Sequence, residues 1–161
     1  MLNTKFSHHE CPIAQALREI GDGWTLLIIR EAMYGTSQFE GFRRNIGAPR
    51  AVLSNRLAQL TANNILKRTR SEADKRKTFY ELTGKGRDLW TVLLSLLLWS
   101  EKHLAQGGIV SACNSRTGAV ISDISAIDQE GNTVAPDETV LVPGERISDE
   151  FRARIEAAFN R

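Results

Sequence analysis

Histidine, cysteine and long apolar runs are all scarce in this chain. Three histidines offer little for acid–base chemistry. There is no Gly-rich phosphate loop, His-Glu-x-x-His pair or Gly-x-Ser-x-Gly elbow, so an enzyme is not expected. His8, His9, Glu10 and Cys11 are adjacent in sequence and do not converge easily as the spaced ligands of known metal sites do. Neither a metal nor a cofactor is expected. The two cysteines, Cys11 and Cys113, lie about a hundred positions apart, which argues for free thiols over a disulfide framework. The longest apolar stretch, Leu89 to Trp99, reaches about half of the roughly 20 residues that cross a bilayer. It is bounded by Arg87, Asp88 and Glu101. The N-terminal MLNTKFSHHECPIAQALREI lacks an apolar region followed by a small-residue cleavage site. The expectation is a cytoplasmic protein without a membrane segment.

What is present is enough apolar material for a core, 42% of 161 residues, and a strong charge asymmetry. Residues 1–106 carry 16 Lys and Arg against 10 Asp and Glu, whereas 107–161 carry 5 against 9. Two functional segments follow, 1–105 and 106–161. Within the first, residues 43–87 hold 12 basic side chains and 3 acidic ones. That excess suits either a polyanion or a solvated basic surface.

Apolar periodicity gives the architecture. Ile13, Ala16, Leu17 and Ile20 repeat at three and four between Pro12 and Gly21, predicting a first helix. A second runs from about Gly23 to Tyr34, marked by Trp24, Leu27, Ile28 and Met33, with Leu26 and Ile29 broadening its buried face. Ser37-Gln38-Phe39-Glu40 fits a capping box and opens a short third helix with Phe39, Phe42 and Ile46 inward. Beyond Gly47, Pro49 opens a fourth helix to about Asn63, with Val52, Leu53, Leu57 and Leu60 inward. Positions four apart share a helix face, so Arg50, Ala51, Ser54, Asn55 and Ala58 point outward together. This face suits a DNA groove: two small residues allow close approach, and Arg, Ser and Asn can bond bases or phosphates.

The period then changes. Ile65–Arg70 and Lys77–Leu82 read as two strands around the polar turn Ser71–Lys75, with Lys75, Arg76 and Lys77 beside the tip, positioned for phosphates or the minor groove. A helix-turn-helix followed by a basic hairpin is a winged helix. Thr83 then caps a helix running from about Gly84 to Leu104, whose leucines and tryptophans exceed what one contact face can cover. That surplus points to dimerisation, or to a ligand pocket lined by Trp90 and Trp99. From Gln106 on, Gly107-Gly108 reads as a hinge followed by short strands and turns. A last helix, Ile147–Phe159, starts with Ser148 as its cap. The fold class is therefore mainly α with a small β-hairpin wing, plus a small C-terminal α/β extension.

The run CPIAQALREIGDGWTLLIIREAMYGTSQFEGFRRNIGAPRAVLSNRLAQLTANNILKR, followed by TFYELTGKGRDL, resembles the HxlR-type winged helix-turn-helix regulators over about residues 10–105. The resemblance implies a homodimeric transcriptional regulator, without catalysis, on double-stranded DNA with an inverted-repeat operator. It places Arg50, Ser54, Asn55 and Arg56 on the recognition helix and Lys75, Arg76 and Lys77 in the wing. Ser37, Gln38 and Arg43 are further candidate DNA contacts. Arg56, three residues after Leu53, is open to bracing the domain or gripping a phosphate. The first and last helices would form the interface, through Ile13, Leu17, Trp90, Leu93, Leu94, Leu97 and Leu98. Several members of that family respond to oxidants or electrophiles through a cysteine at this Cys-Pro position. Cys11, beside a helix N-terminus where the dipole favours an anion, is thus a candidate redox sensor. The alternatives are an inert buried Cys11 in a regulator that answers to a small ligand, and a winged helix that binds an acidic protein. Similar extensions in related regulators sometimes carry cysteine pairs, whereas Cys113 stands alone.

Overall fold

The computed structural model describes residues 9–104 and 110–159. The chain divides into two compact units between Ser100 and Glu101. His8 and the expected hinge at Gly107-Gly108 lie outside the described residues.

In the first unit, α1 (Pro12–Ile20) starts on a proline, whose fixed φ and missing N–H suit a first helical turn, and stops at Gly21. Asp22 caps α2 (Gly23–Met33), its carboxylate accepting from the Thr25 N–H at 3.2 Å, as an N-cap side chain does. α3 (Phe39–Ile46) ends on Gly47 at φ 69°, a conformation that only glycine adopts freely. α4 spans Arg50–Ala62. Ile28 and Ile29 from α2, Phe42 from α3, and Leu53, Leu57 and Leu60 from α4 form the core with Ile65 and Leu66. Each such side chain contributes about 1.5–3 kcal/mol when fully buried. Of the positions read as inward, Ile28, Phe42, Leu53, Leu57 and Leu60 are buried, whereas Trp24, Leu27, Met33, Phe39, Ile46 and Val52 are half-buried around them.

β1 (Leu66–Arg70) and β2 (Thr78–Leu82) pair antiparallel from Leu66 opposite Leu82 to Arg70 opposite Thr78. The segment before α3 meets the hairpin at one edge: Gln38 bridges Phe79, and the Tyr80 N–H donates to the Ser37 carbonyl at 2.7 Å. The unit is a winged helix-turn-helix.

Three expected details are corrected. Ser37 does not cap α3. Gln38 holds the cap position without a side-chain bond, because Ser37 is drawn into the sheet edge and Glu40 turns to arginines. Pro49 is the residue before α4, not its first turn. The helix expected from Gly84 to Leu104 is two helices, α5 (Gly84–Arg87) and α6 (Trp90–His103). Thr83 ties this corner down, accepting from the Gly86 N–H at 3.1 Å and donating to the Asn64 carbonyl at 2.7 Å.

In the second unit, Cys113 bridges Val120, and β3 (Ala126–Ile127) pairs with β4 (Thr133–Val134). The turn between β3 and β4 is closed by the Asp128 carboxylate, which accepts from the N–H groups of Glu130 and Asn132 at 2.9 and 2.8 Å. Those bonds hold its pKa below the usual carboxylate value. α7 (Asp149–Phe159) begins with Ser148 accepting from the Phe151 N–H at 3.2 Å, the cap expected from the sequence. No helix among the described residues is long and apolar enough to cross a membrane.

Candidate nucleic-acid interface

The helical period fixes which α4 side chains face outward, and all five expected ones do: Arg50, Ala51, Ser54, Asn55 and Ala58 are exposed, while Leu53, Leu57 and Leu60 are buried beneath them. Arg50 is 73% exposed at its side chain, with its guanidinium carbon 5.0 Å from the centre of the Phe39 ring. Its Nη1 donates to Glu40 Oε1 at 3.0 Å, and Arg43 Nε donates to Glu40 Oε2 at 2.7 Å. Donation by Arg43, partly offset by desolvation, and then by Arg50 leaves the Glu40 carboxyl below its usual pKa. Ser37 and Gln38 lie at the entrance of α3, Gln38 exposed and Ser37 half-buried.

Arg56 is separate from this face. Its Nη2 donates to Asp22 Oδ2 at 3.1 Å and its Nη1 to Gln59 Oε1 at 2.7 Å, and only 24% of its side chain is exposed. It braces α4 against the start of α2, so of its two expected roles the geometry favours the structural one.

Lys75, Arg76 and Lys77 are all exposed at the hairpin tip. Arg76 is paired with Asp74 at 3.2 Å, whereas Lys75 and Lys77 have no ion pair among the described residues. Two further cations went unnamed as site residues in the sequence: Arg68 and Arg70, both exposed on β1. Successive strand side chains alternate sides, so Arg68 and Arg70 continue the face that begins in buried Leu66 and carry it beyond the core. The signal was the alternation Leu66-x-Arg68-x-Arg70 itself. Lys67, on the other face, is taken by Glu81 at 2.8 Å.

A recognition helix with small and polar outward residues beside a cationic hairpin is the geometry of a DNA-reading winged helix, and the comparisons with known proteins agree. The profile described as HxlR-like helix-turn-helix matches residues 19–107. The chain belongs to the HxlR-like helix-turn-helix family. An uncharacterized HTH-type transcriptional regulator of Mycobacterium bovis, Mb3122, is 38% identical over 92 residues, 57% of this chain. The chain spans 58% of the length of that relative. The crystal structure of PA1607, a candidate transcription factor, is similar with a TM-score of 0.76 at 27% identity, covering 89% of this chain and 97% of that one. The redox regulator HypR in its oxidized form is similar with a TM-score of 0.55 at 28% identity, covering 59% of this chain and 99% of that one.

Other features of this HxlR-like chain lie outside the α4 face and the hairpin. Cys11 is half-buried at the residue before α1, and its carbonyl accepts from the Gln15 N–H at 3.0 Å. α1 buries none of its residues fully: Ile13 is 69% exposed and Leu17 is exposed beside it. On α6, Trp90, Val92, Leu96 and Trp99 are exposed, Leu93, Leu97 and Leu98 are half-buried, and Leu94 is 6% exposed. Leu94 is thus largely covered within its own chain. Between α2 and α6 lies an apolar cleft of about 510 Å³ with Leu26, Leu27, Met33, Trp90 and Leu97 in its walls and Arg30 at one side. Among the described residues no cluster of His, Cys, Asp and Glu is arranged to hold a metal ion.

Proposed function

We propose that this chain is a DNA-binding transcriptional regulator that binds an inverted-repeat operator as a homodimer and answers to oxidants or electrophiles through Cys11. The observation that carries the DNA reading is the α4 face of Arg50, Ala51, Ser54, Asn55 and Ala58 next to the exposed cations of the hairpin. Family membership supports it. In this scheme Arg50, Ser54 and Asn55 read base edges in the major groove. Ser37, Gln38 and Arg43 hold the near backbone, and Lys75, Arg76 and Lys77, joined by Arg68 and Arg70, hold the flanking phosphates. The apolar surfaces of α1 and α6 supply the contact between copies, since exposed apolar area of this kind is characteristic of partner surfaces.

Cys11 as the sensor is supported by its place at the N-terminus of α1, where a helix dipole assists thiol reactivity, and by the similarity to HypR. Modification there would act on the helix that carries Ile13 and Leu17. A second effector is favoured by the cleft between α2 and α6, of a size suited to a small apolar ligand.

The test is selection of genomic fragments on the purified protein, followed by gel-shift titration of the enriched site with Cys11 reduced, oxidised and replaced by serine. An inverted repeat released on oxidation, with Cys11→Ser unresponsive, supports the full proposal. Specific binding indifferent to Cys11 moves the signal to the cleft. If no site is enriched and association depends weakly on salt, the DNA reading fails in favour of a protein partner.

A further inference from the structure

Glu40 places a negative charge just ahead of the basic stretch 43–87. Between Asp22 and Glu72 the other acidic residue is Glu31, which is buried, so Glu40 is the exposed carboxylate of the helix-turn-helix segment. Its two oxygens are divided between two arginines. Oε2 accepts from Arg43 Nε at 2.7 Å, one turn along α3, and Oε1 accepts from Arg50 Nη1 at 3.0 Å, across the connection to α4. Arg50 is also held over the Phe39 ring at 5.0 Å. All three charged side chains are more than half exposed, and exposed pairs of this kind add little to stability. The carboxylate therefore matters most when a polyanion arrives.

We propose that Glu40 is a specificity-determining residue: it occupies Arg43 and Arg50 in the free protein, so that phosphate alone gains little from them and a matching base pair is needed to engage Arg50 fully. The proposal rests on the DNA reading above. A phosphate brought to Arg50 meets the charge of Glu40, and like charges brought together at an interface are costly. A guanine edge offers Arg50 two neutral acceptors, O6 and N7, and the paired cytosine offers a carboxylate an N4 donor. A G·C pair can thus satisfy both members of the Arg50–Glu40 pair, whereas a phosphate satisfies one and repels the other. Glu40 also cancels part of the positive charge that drives sequence-independent binding, which depends on the number of phosphates neutralised.

The experiment compares wild type, Glu40→Gln and Glu40→Asp, each as the full chain, on the selected operator and on a scrambled duplex across a series of salt concentrations. Glu40→Gln is expected to bind the scrambled duplex about tenfold more tightly while gaining much less on the operator. Its log K against log salt on the scrambled duplex should steepen by about 0.9, one further phosphate contact. Glu40→Asp, which keeps the charge, should retain most of the discrimination. Equal changes on both duplexes, or an unaltered salt slope, would overturn the proposal. So would a large fall in the thermal midpoint of Glu40→Gln, which would make the carboxylate a structural element. If wild type binds neither duplex above background, the DNA reading itself has failed, an outcome distinct from wild-type binding without an effect of Glu40.

Discussion

Glu31 is a carboxylate taken out of water, 6% exposed, and the way it is satisfied decides where α3 sits. It accepts from Arg30 Nη2 at 2.8 Å, from Thr36 Oγ1 at 3.1 Å and from Asn45 Nδ2 at 2.9 Å, tying the end of α2 to the turn and to α3. Burial alone would raise its pKa. The bonds from Asn45, Arg30 and Thr36, with the Arg30 charge, outweigh burial and hold it below the usual 4.5. A carboxyl depressed in the folded state stabilises the fold above its unfolded pKa, and that contribution is lost as pH falls through the lower folded value. Glu31→Gln, which leaves three donors facing an amide, is expected to lower stability at neutral pH by about 1–3 kcal/mol. The gap to wild type should narrow as pH falls below 4.5. Urea unfolding at a series of pH values checks this, and a gap independent of pH would show that the charge contributes nothing. None of these partners is visible in the sequence, because spacing reports helix faces and not contacts between elements. The same limit governs Arg56, whose partner Asp22 lies 34 positions away. The outward face of α4 was legible for the opposite reason: four-residue spacing alone fixes it.

At the scale of elements, the corner between wing and α6 depends on one residue without a side chain. Gly86 is buried, and a Cβ there would collide with the Ile65 carbonyl and lie 2.9 Å from Leu82 Cδ2. Gly84, two residues earlier, has open space around it. Overpacking a tight site costs about 1–3 kcal/mol, so Gly86→Ala should shift the urea midpoint down by an equivalent amount and loosen the hairpin. Gly84→Ala should be close to neutral or slightly stabilising, through a less flexible unfolded chain. Equal effects at the two glycines, read from urea midpoints and hydrogen exchange of β1 and β2, would contradict this account. Apolar periodicity continues from Leu89 into the leucines without a break, and so does not report the interruption between Arg87 and Trp90 that makes two helices of the one expected. The hairpin was legible from alternation and its polar turn, but the bridge from Gln38 to Phe79 was not, since capping-box letters and an edge bridge compete for the same residues. Conversely, Ser148 caps α7 as its position in the sequence predicts.

Considered as a whole, the first unit buries its helix-turn-helix core fully and leaves its outer helices apolar and uncovered. Ile13 on α1 is 69% exposed and Trp99 on α6 is 54% exposed. A second copy of the chain would cover both and set two α4 helices for successive major grooves, about 34 Å apart along the duplex. Oligomeric state and operator geometry are then one property, with a shared consequence. Ile13→Glu puts a charge on that surface at a position that contributes little to the core of its own chain. Sedimentation should show conversion to a monomer. Affinity for the two-half-site operator should fall by about 10²-fold, the benefit of linking two binding events, while affinity for an isolated half-site should stay nearly unchanged. Because the half-site retains the whole recognition face, an equal loss on both duplexes would point to damage in the domain and not to a broken interface. A variant that remains dimeric with full operator affinity would place the contact between copies on α6 alone, where Leu96 and Trp99 are the next positions to charge.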